Sequence, residues 1–358
     1  MKTRVNYISF MNVIAAVSVV ILHANGSFWY YSGNAFWPVA NVIDAVFYFP
    51  VPIFFMLTGA TLIDYRKRCS TKEYFKKRFF KTVIPFLFWS LFAMCWQSRD
   101  TLWAIMTGAP HNDLGWTFNY VIDGILNTKF MDIYWFFIPL FCIYLSIPLL
   151  AVIPENKRIR IFGYIIGICV LINYVIPFAL SLAGTYADFK LNWPVKMYYG
   201  FEFMIYPLIG YVLHKRELTL KIRLLIYAAA LAGMMTQLLG TYFSTIKLGI
   251  VDYLLYKGYY KLPCLLYAVG IFLFLKHAAM RIKSEKVNRF FGWFQRYTFA
   301  IYLIHRYFLQ VFEKNLHLIN IQKSSFIYVL GGTVLALTLS VLTAMLLRKI
   351  PVLRHIVP

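Results

Sequence analysis

Apolar segments of nearly uniform length constrain this chain more than any other feature, and about ten of them match the roughly 20 residues of a bilayer-spanning helix. Between them, the longest stretch is 99–132, which is too short for a separate domain. The pattern predicts an all-α polytopic membrane protein with one domain over residues 1–358. The expected spans are 7–27, 37–63, 82–98, 133–153, 160–181, 197–213, 222–243, 258–278, 293–312 and 324–347.

Composition supports this prediction. The 358 residues are 61% apolar and only 14% charged, whereas soluble domains carry roughly 25% charged residues. A soluble enzyme, a disordered chain or a secreted disulfide scaffold would not have this balance. The formal net charge of +22 leaves two explanations open, membrane topology or nucleic-acid binding, and the positions of the charges distinguish them.

The basic residues follow the order of the spans. With a cytoplasmic N-terminus, most of the 36 Lys and Arg residues lie in alternate segments, on the side that the positive-inside rule assigns to the cytoplasm. We therefore expect both termini in the cytoplasm, a lipid bilayer as partner and no nucleic-acid partner. Lys2 and Arg4 precede a span too long for a signal peptide, so the first helix is expected to be retained. The five cysteines form no zinc or redox pattern, and no metal is expected.

Ionisable residues inside predicted spans indicate a catalytic site, because they are costly there and usually functional. His23 lies in the outer half of the first span and His305 in the outer half of the ninth. Asp44 and Glu202 are predicted at the same depth in the second and sixth spans. Either carboxylate can hold His23 in the tautomer that a general base needs. The alternatives are a structural histidine and acids that only cap their spans.

A basic segment precedes the third span, with eight Lys and Arg residues between positions 66 and 81. Arg68, Lys77, Arg78 and Lys81 are the residues expected to bind a polyanionic cytosolic cofactor. Arg78 and Lys81 are three residues apart, which places them one above the other on a helix and suits phosphate binding. The alternative is attraction to anionic lipid head groups in addition to the topology signal.

Several short motifs occur in order along nearly the whole chain. They are Met11 to His23, Phe54 to Gly59 with Thr58 as its hydroxyl residue, Lys77 to Pro85, Tyr134-Trp135-Phe136-Phe137, and Ile301 to His305. Together they resemble the acyltransferase 3 family of integral-membrane O-acyltransferases, and look closest to members that O-acetylate surface glycans such as enterobacterial common antigen.

The resemblance implies a membrane O-acyltransferase in the plasma (inner) membrane of a bacterium. The acyl group, acetyl above all, is expected to move from cytosolic acyl-CoA (acetyl-CoA) to a hydroxyl of an extracytoplasmic glycan or lipid-linked glycan. His23 matches the essential histidine of the family, and we expect it either to remove a proton from the acceptor hydroxyl or to take the acyl group covalently. His305 is expected to donate to the developing oxyanion. We expect Trp135, Tyr302 and Asn12 to contact substrate.

One departure from the family concerns Asn12, which stands where the family carries a basic residue, so an altered or inactive site is one alternative. A second alternative is a non-enzymatic exporter or flippase of a glycan or lipid-linked sugar, which needs a wide polar path through the bundle. A membrane receptor is a third, for which no soluble ligand-binding or signalling domain is present. An oligomer is possible.

Overall fold

The computed structural model describes residues 6–31, 33, 36–186, 201–314 and 326–358, and for 185, 186, 201 and 202 it describes the backbone alone. All regular secondary structure in these residues is helical. The α-helices, numbered in chain order, are α1 Tyr7–Ala24, α2 Trp37–Phe47, α3 Pro50–Leu62, α4 Thr71–Arg78, α5 Ile84–Gln97, α6 Arg99–Thr107, α7 Phe118–Leu126, α8 Phe137–Leu150, α9 Glu155–Val170, α10 Ile176–Tyr186, α11 Phe201–Lys215, α12 Leu220–Leu248, α13 Leu262–Arg281, α14 Glu285–Gln295, α15 Thr298–Lys314 and α16 Phe326–Lys349.

The prediction of an all-α polytopic membrane protein is confirmed. In the described residues, 8 helical runs are long and apolar enough to cross a membrane. The other two predicted spans, 197–213 and 293–312, fall on α11 and α15, of which the structure describes 15 and 17 residues; positions 197–200 lie outside the described residues. The eight runs are Tyr7–Ala24, Trp37–Lys67, Thr71–Gln97, Asp132–Leu150, Glu155–Gly184, Leu220–Leu248, Leu262–Arg281 and Phe326–Lys349.

Most of the basic segment is helical. Ser70 and Glu73 form a capping box that starts α4, because each side chain satisfies a backbone N–H of the other residue. The π-helical turn Phe79–Val83 then joins α4 to α5 without a break. The third span therefore begins earlier than the predicted 82–98, and Lys77, Arg78 and Lys81 lie on this helix.

Helix α1 lies at the centre of the bundle, where it packs against α3, α13, α15 and α16. Small and branched apolar residues such as Ala15, Ala16 and Val19 are buried along it. Small side chains allow close approach of neighbouring helices where no water is present to drive association. This position carries His23, near the end of α1, into the interior.

Helices α3 and α11 cross in direct backbone contact. A Cβ atom added at Gly59 would lie 1.9 Å from the carbonyl oxygen of Pro207, and one added at Gly210 would lie 2.0 Å from that of Met56. Only glycine fits at both positions.

One end of the bundle, here called the basic end, contains the segments 64–70, 151–154, 216–219 and 282–284 that connect the helices. Ion pairs link the segment 64–70 to the ends of α9 and α11. Asp64 bonds to Arg158 at 2.5 Å and to Lys215 at 2.6 Å, and Glu155 bonds to Lys67 at 2.6 Å. The side chains at this end are those that the sequence assigned to the cytoplasm.

Candidate active site

The two predicted histidines meet in the interior. His23 Nδ1 and His305 Nε2 are 2.8 Å apart, and the rings are nearly parallel, with an interplanar angle of 11°. His305 is fully buried, whereas His23 is partly exposed. The pair forms because α1 and α15 are direct neighbours.

The hydrogen bonds of this pair assign its protons. His305 Nδ1 lies 2.7 Å from the carbonyl oxygen of Ile301, and a carbonyl oxygen can only accept, so this nitrogen carries the proton. In neutral rings, His305 Nε2 then accepts from the Nδ1–H of His23. The remaining nitrogen, His23 Nε2, holds an unshared electron pair, which is what a general base requires.

This arrangement corrects the role expected of His305. Both of its ring nitrogens are already engaged, one by Ile301 and the other by His23. It is therefore not available to donate to an oxyanion in this arrangement. Its geometry is that of a residue that holds His23 in one tautomer, the task expected of Asp44 or Glu202.

Asp44 does not bond to either histidine in the described structure. Its carboxylate accepts from Lys257 Nζ at 2.7 Å, and the same Nζ donates to Asn41 Oδ1 at 2.9 Å. Lys257 and Asp44 are both buried, and Lys257 Nζ lies 4.2 Å from the ring centroid of Phe28. The segment before α13 brings the Lys257 amine to Asp44, and no spacing in the sequence indicates this partner. The Glu202 side chain lies outside the described residues.

A cavity of about 480 Å³, here called the histidine cavity, lies at the end of the bundle opposite the basic end. Arg306 and Asp132 form an ion pair of 3.1 Å in its wall. Trp135 stacks on Tyr259, with ring centroids 5.6 Å apart. An aromatic wall beside paired charges suits a polar ligand with apolar faces. The lining includes His23, Trp29, Tyr30, Asp132, Trp135 and Arg306.

A second cavity of about 390 Å³, here called the basic cavity, lies on the basic-end side of the histidine pair. The Arg78 guanidinium lies 5.5 Å from the ring centroid of Tyr144, and its buried Nε has no hydrogen-bond partner among the described residues. An unpartnered charged donor in a cavity suits an anionic ligand. The lining includes Asn12, Thr58, Arg78, Lys81, Tyr144 and Tyr302.

The other predicted cofactor ligands lie elsewhere. Lys77 lines a third, shallower groove together with Lys81, and it does not line the basic cavity. Arg68 donates to the carbonyl oxygen of Thr61 at the end of α3. Asn12, which was expected to contact substrate, lines the basic cavity and donates to the carbonyl oxygen of Ile8 at 3.0 Å. Arg78 and Lys81 are thus the two of the four predicted cations that the structure brings to the basic cavity.

The residues between the two cavities, here called the histidine layer, include His23, His305 and Tyr302. Tyr302, which lines the basic cavity, donates to the carbonyl oxygen of Ile133, which lines the histidine cavity. Tyr134 donates to the carbonyl oxygen of Leu303 at 3.0 Å. These bonds hold the segment 132–136 against α15 at the level of the histidines.

Sequence analysis missed Asp132, Arg306 and Lys257. Arg306 directly follows His305 in the sequence, and this adjacency could have predicted its position beside the site. The Asp132–Arg306 and Asp44–Lys257 pairs join residues far apart in sequence, and no local pattern indicates them. No cluster of His, Cys, Asp and Glu in the described residues has the geometry of a metal site.

One comparison with known proteins gave a match. A family model described as an acyltransferase domain matches residues 5–345. No curated protein and no solved structure matched significantly. The matched range contains both histidines, Arg78 and Lys81.

Proposed function

Because the chain belongs to the acyltransferase 3 family of membrane acyltransferases, we propose that it transfers an acyl group, acetyl above all, from cytosolic acyl-CoA to a hydroxyl of a cell-surface glycan. The acceptor lies on the far side of the plasma (inner) membrane of a bacterium. The observation that carries the proposal is the placement of the His23–His305 pair between a cation-lined cavity and a cavity at the opposite end.

The basic cavity is the donor site in this proposal. Phosphate oxygens of CoA accept from Arg78 and Lys81, and the buried Nε of Arg78 gains the partner that it lacks among the described residues. The pantetheine arm extends along the cavity towards Tyr302 and brings the thioester to the histidine layer. Asn12 adds no charge here, and these two cations supply the charge that the family places at that position.

The histidine cavity is the acceptor site. The sugar packs against Trp135, and its hydroxyl points at His23 Nε2. His23 removes the hydroxyl proton while the oxygen attacks the thioester carbon, so that the C–O bond forms and the C–S bond breaks. The released CoA thiolate takes up the proton. His305 keeps His23 in the reactive tautomer throughout, and the residues around the pair limit the access of water that would hydrolyse the thioester.

The test uses purified protein supplied with acetyl-CoA and a glycan acceptor, with released CoA thiol as the readout. We expect thiol release that depends on both substrates, and its loss in His23→Ala. His111→Ala is the matched control, because His111 is exposed in the segment between α6 and α7. Full glycan-dependent release by folded His23→Ala protein would refute the assignment of the base.

The donor site has its own test. Arg78→Ala combined with Lys81→Ala should weaken acyl-CoA binding measured by calorimetry, while Lys72→Ala, on the exposed part of α4, should not. Unchanged affinity in the double variant would remove the donor site from the basic cavity. The exporter alternative needs a continuous polar path, whereas the described residues place the histidine layer between the two cavities. Movement of a lipid-linked sugar without release of CoA would favour that alternative.

A further inference from the structure

A third groove on the surface of the third span shares only Lys81 with the basic cavity and no residue with the histidine cavity. It has a volume of about 320 Å³ and is lined by Glu73, Lys76, Lys77, Phe80 and Lys81. The Glu73 side chain accepts from the backbone N–H of Ser70 in the capping box. None of the ion pairs in the described residues involves Lys76, Lys77 or Lys81, so the groove has three lysines without a carboxylate partner.

The apolar surface next to the groove faces the hydrocarbon of the bilayer. Phe80 is 53% exposed, and further along the same helical run Leu87 and Leu91 are 37% and 43% exposed. Because the run is long and apolar enough to span a membrane, exposed apolar side chains on it contact lipid chains rather than water.

Lys76 and Lys77 precede Phe80 by four and three residues, which places them one helical turn from Phe80, towards the basic end. At a rise of 1.5 Å per residue, three or four residues correspond to roughly 5 Å along the axis. Phe80 therefore marks the edge of the hydrocarbon region, and Lys76 and Lys77 lie at the depth of lipid phosphates. Basic pockets at this depth bind anionic head groups.

We propose that this groove binds the head group of an anionic phospholipid, with the phosphate on Lys76 and Lys77 and the acyl chains along Phe80. The helical register thus divides the basic segment between two ligands. Arg78 faces the basic cavity, Lys76 and Lys77 face the bilayer, and Lys81 lines both. The lipid phosphate is covalently attached to apolar chains, and the exposed Phe80 surface favours it over a free polyphosphate.

The experiment measures lipid bound to the protein after reconstitution in nanodiscs of phosphatidylcholine with graded phosphatidylglycerol. The variant is Lys76→Gln combined with Lys77→Gln. At roughly fivefold per lysine, we expect the preference for phosphatidylglycerol at this site to fall about 25-fold. Lys76→Arg with Lys77→Arg should keep the preference, because both charges remain.

Two controls separate this groove from general surface charge and from the donor site. Lys72→Gln removes a charge of α4 that does not line the groove, and it should leave the preference unchanged. The glutamine variant should keep the acyl-CoA affinity of the parent, whereas Arg78→Ala should lower that affinity and leave lipid binding intact.

The proposal is overturned if Lys72→Gln causes the same loss, which would indicate diffuse attraction. It is also overturned if inorganic phosphate displaces the lipid, which would assign the groove to a soluble anion. Loss of acyl-CoA affinity with unchanged lipid binding in the glutamine variant would instead assign Lys76 and Lys77 to the donor.

Discussion

Replacing Gly59 by alanine tests the close crossing of α3 and α11. The new Cβ would lie 1.9 Å from the carbonyl oxygen of Pro207, whereas ordinary van der Waals contacts between heavy atoms begin near 3.4 Å. The two backbones must therefore separate by about 1.5 Å at this point, because the obstructing atom belongs to the backbone and no side-chain rotation can relieve it.

The magnitude follows from that separation. A gap of 0.5 to 1 Å forfeits roughly a quarter to a half of the dispersion energy of the contacts that it opens. Overpacking of a tight core usually costs about 1–3 kcal/mol, and Gly59→Ala should lie at the upper end of that range. The expected result is a clearly lower unfolding temperature in detergent, together with a weaker donor affinity because Thr58 lines the basic cavity.

The matched control is Gly163→Ala in α9. A Cβ at Gly163 would meet nothing within 4 Å, and alanine in a helix interior is favoured over glycine by about 0.5–1 kcal/mol. Gly163→Ala should therefore leave the unfolding temperature unchanged or raise it. Scanning fluorimetry of both variants in the same detergent measures the two unfolding temperatures. An unfolding temperature for Gly59→Ala equal to that of Gly163→Ala would refute the direct backbone contact.

Three further results are expected. His305→Ala should lower kcat roughly 100-fold with little change in the KM for acyl-CoA. His305→Gln, which keeps a hydrogen-bond acceptor, should recover part of the rate. An unchanged kcat in the alanine variant would contradict the positioning role. Lys257→Met leaves the buried Asp44 unpaired and should lower the free energy of unfolding by roughly 3–5 kcal/mol. Combining Lys257→Met with Asp44→Leu should recover most of that stability. Additive effects of the two substitutions in this double-mutant cycle would contradict the pairing. Lys276 donates to Glu217 and lowers the pKa of that carboxyl, so the pair stabilises the fold above the usual glutamate pKa, and this contribution is lost as the pH falls through the lower folded-state pKa. The unfolding temperatures of the parent and Glu217→Gln should therefore differ near neutral pH and converge in acid.

The helices were predictable because a bilayer imposes one length and one polarity on every span. The apolar spans also singled out His23 and His305, since a titratable side chain in an apolar run needs a specific partner, and their catalytic roles stay a prediction. Their direct contact was not predictable. Sequence placed both at one depth, but the neighbour relation of α1 and α15 depends on how all the helices pack.

The partner of the Asp44 carboxylate could not be predicted from the sequence, because this contact also depends on how the helices pack. Asp44 is separated from Lys257 by more than 200 positions, and no periodic pattern connects them. The π-helical turn Phe79–Val83 sets how α4, with its basic residues, is rotated relative to α5. One extra residue in such a turn rotates all that follows, and composition alone does not predict it.

The layer between the two cavities also bears on the membrane as an electrical insulator. Cavities that extend from both ends towards the same pair leave few side chains to separate the two solutions. In the proposed mechanism, His23, His305 and Tyr302 therefore have to keep protons and ions from crossing while the thioester reacts beside them. A substitution that opens this layer should make proteoliposomes leak protons, which a pH-sensitive dye inside them detects. Catalytic residues of this kind are under a second constraint, set by the electrochemical gradient of the cell and independent of the reaction that they serve.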